Sequence, residues 1–159
     1  MELEFSNSGE PLTEQELEDF ERKHGMKLPE QYRNFLMQHN GGEPNRPLVK
    51  LKGKRIYSEI IRYFLSISDD PHRSMYRFLQ RYKIDNSRMP ENLIPIATDP
   101  GGNLFVLSTD GKDRGSVYFW DHEEEADFQF AREAPTTRNL SLIARTFDEF
   151  LGGLKEEEQ

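Results

Sequence analysis

The stretch LIPIATDPGGNLFVLSTDGKDRGSVYFW, residues 93–120, determines the fold that we expect for this chain. It contains three apolar runs of the kind that strands favour, Leu93–Ala97, Asn103–Ser108 and Ser116–Trp120. The segments between them, 99–102 and 110–115, are rich in Asp and Gly, which is the composition of turns. Adjacent strands with such short links predict an antiparallel meander, with Trp120 in the core.

Upstream of the meander, two short helices are predicted. In the first, Thr13 can cap the amide of Glu16 while Glu16 reaches back, and Leu12 can pack on Leu17 as a hydrophobic staple. These signals predict a helix over Glu14–His24.

The second helix begins at Pro29, because a missing N–H is harmless in the first helical turn. Its apolar stripe consists of Tyr32, Phe35, Leu36 and His39. We expect Asn40-Gly41-Gly42 to end it as a C-cap, since glycine adopts a positive φ without penalty.

The middle of the chain predicts strands at Leu48–Leu51 and Ser58–Ser66, followed by a short helix over Ser74–Tyr82. A further strand is expected near Phe128–Arg132. The chain should close with a helix whose apolar stripe is Leu140, Ile143, Ala144, Phe147, Phe150, Leu151 and Leu154. The predicted fold class is α+β: a mostly antiparallel sheet flanked by amino-terminal and carboxy-terminal helices in a single domain, 1–159, with its core at about 12–154.

The composition and charge of the chain disfavour several classes of function. The 159 residues carry a formal net charge of −8, which disfavours a sequence-independent grip on nucleic-acid phosphates. The chain has no cysteine, which excludes disulfides and cysteine-ligated metal sites. No signal peptide or apolar run of membrane-spanning length is recognisable, so we expect a cytoplasmic protein without membrane contact.

Four segments in this order resemble a known family. They are Leu28-Pro29-Glu30-x-Tyr32-x-x-Phe35-Leu36 running into Asn40-Gly41-Gly42, Ile94-Pro95-Ile96-Ala97 with Gly102-Asn103, Val117-Tyr118-Phe119-Trp120-Asp121-His122, and Ile143-Ala144-x-x-Phe147-x-Glu149-Phe150-Leu151. Together they are similar to the SUKH superfamily, which includes the Smi/Knr regulators of yeast cell-wall synthesis and many bacterial immunity proteins. The resemblance implies an α+β fold without catalytic machinery and, for many bacterial members, immunity to toxins that are often nucleases or deaminases.

The residues that could belong to catalytic or ligand-binding motifs are better explained by structural roles. The histidines are scattered, and no serine lies on a Gly-x-Ser-x-Gly elbow. Asp99-Pro100-Gly101-Gly102-Asn103 lacks the lysine of a phosphate-binding loop and is typical of a turn. The run Asp121–Glu125 could ligate a hard cation, but successive carboxylates on a strand end point in different directions, which favours a solvated acidic rim.

We therefore expect a non-enzymatic protein that needs no cofactor or metal and binds a toxin domain, itself basic if its target is nucleic acid. The candidate partner-binding residues are exposed carboxylates near the resembling segments: Glu30, Glu43, Asp99, Asp121, Glu123, Glu124 and Asp127. A regulatory or scaffold protein, and a small-ligand-binding protein with its site between sheet and helices, are the alternatives. The segment Lys50–Arg88 has no motif that firmly resembles the family, and we expect it to set partner choice if variable surface does so. Its basic start, Lys50–Arg55, is typical of a solubilising edge strand.

Overall fold

The predicted meander lies at the centre of a five-stranded antiparallel sheet. The computed structural model describes residues 2–51, 57–84, 89–122 and 139–157. In chain order its elements are β1 (Phe5–Ser6), α1 (Glu14–His24), α2 (Glu30–Gln38), β2 (Glu43–Pro44), β3 (Leu48–Leu51), β4 (Tyr57–Ile60), β5 (Tyr63–Phe64), α3 (Met75–Leu79), a π-helical turn (Gln80–Ile84), β6 (Leu93–Thr98), β7 (Leu104–Ser108), β8 (Val117–Trp120), β9 (Leu140–Ala144) and α4 (Phe147–Gly152).

The large sheet has the strand order β5-β6-β7-β8-β9, and every neighbouring pair is antiparallel. All residues of β6 and β7 are buried, so these two strands are covered on both faces. Pro95 lies within β6, and the register of β6 against β7 shifts between Pro95 and Ala97. An irregularity at this point is expected, because proline cannot donate to the ladder of an interior strand.

The first helix forms as predicted. The Thr13 hydroxyl accepts from the amide of Glu16 at 3.1 Å, and Glu16 Oε1 accepts from the amide of Thr13 at 3.1 Å, which completes the capping box. Leu12 and Leu17 are both buried. The helix ends at Gly25 in the left-handed conformation with φ +62°.

The glycines after α2 have a different role from the predicted one. The C-cap of α2 is His39, in an extended conformation, and not the Asn40–Gly42 segment. Gly42 forms a bridge with Phe64 in β5, and Gly41 crosses so close to this strand that a Cβ would lie 2.7 Å from the Leu65 carbonyl oxygen. Glycine is therefore required by the approach of two backbones.

The predicted strand Ser58–Ser66 is two strands in two sheets. β4 pairs with β3 in a separate hairpin, whereas β5 pairs with β6 in the large sheet. The break is at Ile61 and Arg62: the Ile61 amide donates to Pro47 O at 2.9 Å, and the Arg62 amide donates to Thr98 O at 2.7 Å. The chain changes its pairing partner between these two residues, which the alternation of side chains could not reveal.

The predicted closing helix was wrong over its first half. Leu140–Ala144 is β9, paired with β8 through Leu142 opposite Tyr118 and Leu140 opposite Trp120. α4 starts only after Thr146, whose hydroxyl accepts from the amide of Glu149 at 3.1 Å. Apolar residues at helical spacing also fit a strand when an edge of a sheet is free to pair, and tertiary pairing overrode the helical pattern here.

The main core lies between the large sheet and the helices, and aromatic rings fill much of it. Phe35, Phe64, Phe147 and Phe150 are buried, with centroid separations of 5.1 Å between Phe35 and Phe147 and 6.1 Å between Phe64 and Phe150. Trp120 is buried as predicted, in a smaller second cluster. The α+β class is confirmed. The strand expected near Phe128–Arg132 lies outside the described residues, as does the basic stretch beyond Leu51, up to residue 56.

Across the part of the chain that the structure describes, no helix is both long and apolar enough to cross a membrane.

Candidate functional site

The turn between β6 and β7 is organised by the side chain of Asp99. Its Oδ1 accepts hydrogen bonds from the amides of Gly101 at 2.9 Å and Asn103 at 2.7 Å, and its Oδ2 accepts from Asn103 Nδ2 at 2.9 Å. The prediction that Asp99 is an exposed carboxylate was wrong, since only 4% of the residue is exposed. A short acidic side chain that accepts from amides two and four residues on fixes the turn.

The same turn is joined to the end of β8. Asn103 Oδ1 accepts from the amide of His122 at 3.0 Å, and His122 Nε2 lies 3.0 Å from the carbonyl oxygen of Gly101. The amide of Asp121 donates to Asn139 O at 2.9 Å, which continues the pairing toward β9. Asp121 is thereby held at a fixed position beside the turn, with its side chain partly exposed.

A third carboxyl group, which the sequence did not single out, completes the arrangement. Glu59 in β4 is partly buried, and its side chain is hydrogen-bonded to that of Asp99. The pKa of Glu59 is raised from its usual value of 4.5 to about 7, mainly by burial and then by the negative charge of Asp99, the hydrogen bond to Asp99 and the charge of Asp121. Glu59 and Asp99 therefore form a carboxyl–carboxylate pair near neutral pH.

We call Glu59, Asp99 and Asp121 the acidic cluster. Its position follows from the crossing of the chain between the two sheets, because the Arg62 amide bonds to Thr98 O, one residue before Asp99. Glu59, three residues before Arg62, is brought against the turn by this crossing. In sequence the two carboxyl groups are 40 residues apart, and no pattern within β4 indicates the contact.

The acidic cluster can interact with a partner as a negatively charged surface that forms hydrogen bonds. Asp99 is buried and its acceptors are occupied by the turn, whereas Glu59 and Asp121 are partly exposed and can face a partner. Within residues 2–51, 57–84, 89–122 and 139–157, no group of three or more His, Asp or Glu side chains is arranged so that it could hold a metal ion.

Among the described residues, the two remaining predicted binding residues, Glu43 and Glu30, have no contact with the acidic cluster. Glu43 in β2 accepts from Asn7 Nδ2 and forms a salt bridge of 3.2 Å with Arg73. The hydrogen bond from Asn7, followed by that from Arg73, lowers the pKa of Glu43. Glu30 is exposed in the first turn of α2, where a carboxylate is favoured by the helix dipole.

Three further predicted residues, Glu123, Glu124 and Asp127, lie outside the described residues. Of the seven carboxylates chosen from sequence, the structure places Asp99 and Asp121 together and adds Glu59 to them.

Comparison with known proteins agrees with the family that the sequence resembles. The family model of the SMI1 / KNR4 family (SUKH-1) matches residues 11–153. The SPbeta prophage-derived uncharacterized protein YokK of Bacillus subtilis (strain 168) is 28% identical over 161 residues, which cover 91% of this chain and 76% of that protein. The uncharacterized protein YnaB of the same organism is 33% identical over 89 residues, covering 53% of this chain and 57% of that protein. The match of the family model to almost the whole chain, on an α+β fold with the expected meander, shows that the chain belongs to the SMI1 / KNR4 family (SUKH-1).

Proposed function

We propose that this protein is a non-enzymatic binding protein, and specifically an immunity protein that neutralises a toxin by direct contact. Membership of the SUKH superfamily supports this function, since many of its bacterial members are immunity proteins. A relative described as prophage-derived is compatible with a role on mobile genetic elements. A cytoplasmic protein would meet a toxin that acts on intracellular nucleic acid.

The observation that carries the proposal is the acidic cluster. Two of its carboxyl groups are partly exposed, and Asp99 behind them is held by three hydrogen bonds from the turn. The backbone of Asp121 is held by its hydrogen bond to Asn139 O, and a surface whose backbone is fixed beforehand loses less conformational entropy on binding. A basic toxin surface complements them, and the net charge of −8 accelerates its approach.

The arrangement of the cluster also supports a binding function over a catalytic one. A carboxyl group with a pKa near 7 is a common feature of general acids and bases. In this protein, however, the shift of Glu59 comes from burial against Asp99, whose own acceptors serve the turn backbone. Structural carboxyl pairs perturb pKa values in the same way as catalytic ones.

The proposal is tested first in the cell. The gene is removed in a strain that expresses the product of the neighbouring gene, and growth is measured with and without the protein supplied in trans. We expect growth to depend on the protein. If removal of the gene never sensitises the cell to an adjacent toxin, the immunity function is wrong, and capture of several unrelated partners would favour the regulatory or scaffold alternative.

The role of the acidic cluster is tested on the purified toxin complex. Asp121→Lys should weaken binding by about tenfold or more, mainly by slowing association, and the loss should shrink as salt is added. Glu18→Lys, which makes the same change of charge at an exposed position of α1, is the matched control. Equal effects of the two variants would show that only overall charge matters and that the acidic cluster is not the contact.

A further inference from the structure

A groove lined by arginines lies on the surface of this otherwise acidic protein. Its volume is about 750 Å³, and Arg62, Arg73, Arg77 and Arg81 line it together with the rings of Tyr63 and Phe78. We call it the arginine groove. All of its lining residues lie between positions 62 and 81 of the chain.

The guanidinium groups of the groove are held over an aromatic ring. Arg73 Cζ lies 4.6 Å and Arg62 Cζ 5.6 Å from the centroid of Tyr63. Tyr63 is itself buried, and its hydroxyl donates to His72 O at 3.3 Å. Cation–π contacts of this kind orient the planar donors and reduce the entropy that they lose on binding.

The wall of the groove is a hydrogen-bonded turn. Asp70 Oδ1 accepts from the amides of His72 at 2.7 Å and Arg73 at 2.8 Å. The Arg73 carbonyl then accepts from the amide of Ser66 at 2.9 Å, which fixes the turn to the strand region after β5. The backbone that carries Arg73 is therefore rigid before any partner arrives.

The arginines are only partly compensated by carboxylates. Arg73 forms its salt bridge with Glu43, while Arg62 and Arg77 are exposed and form no salt bridge with any described residue. Arg77 belongs to α3, and Arg81 follows it at a spacing of four in the adjoining π-helical turn. The guanidinium groups of Arg62 and Arg77 favour an anionic occupant of the groove, because each can bind a carboxylate through two parallel hydrogen bonds.

We propose that the arginine groove binds a short acidic segment of a partner protein, with the carboxylates of that segment paired to Arg62 and Arg77. The arginine groove has room for a few side chains of the partner segment. A segment with two or three carboxylates places all its charge inside the groove, whereas a nucleic acid carries phosphates beyond it that the net charge of −8 repels. The Tyr63 ring is already occupied by two arginines, so it cannot stack on a base. No residue of the acidic cluster lines this groove, and the inference does not depend on the toxin.

The test uses a fluorescein-labelled triglutamate peptide, titrated with the full chain and followed by fluorescence anisotropy. At about 0.1 M salt, the Debye length of about 10 Å screens the overall repulsion while direct ion pairs persist. We expect saturable binding that Arg77→Glu weakens by about tenfold or more and that Arg77→Lys weakens by less, since lysine keeps the charge but loses the two-pronged geometry.

The matched control is Arg22→Glu, because Arg22 is an exposed arginine on α1 and the substitution changes the net charge by the same amount. We expect it to alter binding less than about twofold. Circular dichroism confirms that each variant is folded. Equal weakening by the two substitutions, or no saturable binding up to about 1 mM, would overturn the proposal. Tighter binding of a six-nucleotide oligothymidylate with the same dependence on Arg77 would overturn it in favour of nucleic acid.

Discussion

Asn40 and Ile67 form a reciprocal pair of hydrogen bonds between a side chain and a backbone. Asn40 Oδ1 accepts from the amide of Ile67 at 2.8 Å, and Asn40 Nδ2 donates to the carbonyl of Ile67 at 3.0 Å. Nδ2 also donates to Glu10 O at 2.8 Å, and 3% of the residue is exposed. One buried amide thus joins the end of α2, the chain after β5 and the segment before α1.

We predict that Asn40→Ala lowers the free energy of unfolding by about 2–4 kcal/mol, because it leaves a buried amide and a buried carbonyl of Ile67 without partners. Urea denaturation followed by circular dichroism measures the change. Asn34→Ala, at an exposed position of α2, is the control and should change stability by less than about 0.5 kcal/mol. A similar small loss for both variants would contradict the role given to Asn40.

The Glu59–Asp99 pair predicts an unusual dependence of stability on pH. Because the pKa of Glu59 rises from 4.5 to about 7 on folding, the protonated form favours the folded state. The contribution of Glu59 to stability should be complete below pH 4.5, decline between pH 4.5 and 7, and reach its lowest level above pH 7.

Glu59→Gln removes this titration and keeps a donor for Asp99. We expect the variant to match the wild type near pH 4 and to be more stable by about 1 kcal/mol at pH 8, a figure reduced because the side chain is partly exposed to solvent. Thermal unfolding at a series of pH values measures the difference. Glu18→Gln is the control for the loss of one charge. A difference between variant and wild type that does not grow from pH 4 to 8 would argue against the carboxyl–carboxylate pair.

Two glycines with positive φ should respond differently to alanine. Gly41 has φ +74° and its Cβ would lie 2.7 Å from the Leu65 carbonyl oxygen, whereas Gly25 has φ +62° and open space around it. We predict that Gly25→Ala costs about 1 kcal/mol from the backbone conformation alone. Gly41→Ala should cost about 3 kcal/mol or more, since the backbones must also separate. Chemical denaturation of the two variants gives the comparison, and equal losses would show that the crossing tolerates a side chain.

Asp99 should stabilise the folded state through its hydrogen bonds to the turn more than through its negative charge. Asp99→Ala removes the acceptor of three hydrogen bonds and should lower the free energy of unfolding by about 2–3 kcal/mol. Asp99→Asn keeps an oxygen for the amides of Gly101 and Asn103, so it should lose less than half of this amount. Amide hydrogen exchange of the turn residues is the measurement. If Asn destabilises as much as Ala, the charge of Asp99 and not the turn geometry is what stabilises the site.

Local signals were sufficient for much of the fold. The capping box at Thr13 and Glu16 and the glycine-rich turns of the meander are short-range features, in which the interacting residues are neighbours in sequence. They gave α1 and the order of β6, β7 and β8. For the same reason Trp120 could be assigned to the core from its position after an apolar strand.

These short-range signals could not predict how segments distant in sequence pair with one another. The residues around Ile61 and Arg62 alternate as a single strand would, yet the chain changes sheets there because two different acceptors, Pro47 and Thr98, lie within reach. The apolar spacing from Leu140 to Ala144 fits a helix, and the free edge of β8 turned it into a strand. Arg77 and Arg81 lie four residues apart in α3 and the adjoining π-helical turn, but Arg62 joins them in the arginine groove only through the fold.

The α+β class, the family, the meander and the turn at Asp99 could be predicted from sequence, because each depends on residues close together along the chain or on motifs that recur along its length. The hydrogen bond between Glu59 and Asp99 and the presence of Arg62 and Arg77 in one groove arise only in the folded chain, since both require the crossing between β4 and β5. The path of the backbone brings together charged residues that are distant in sequence. The chemistry of the acidic cluster and of the arginine groove follows from that placement.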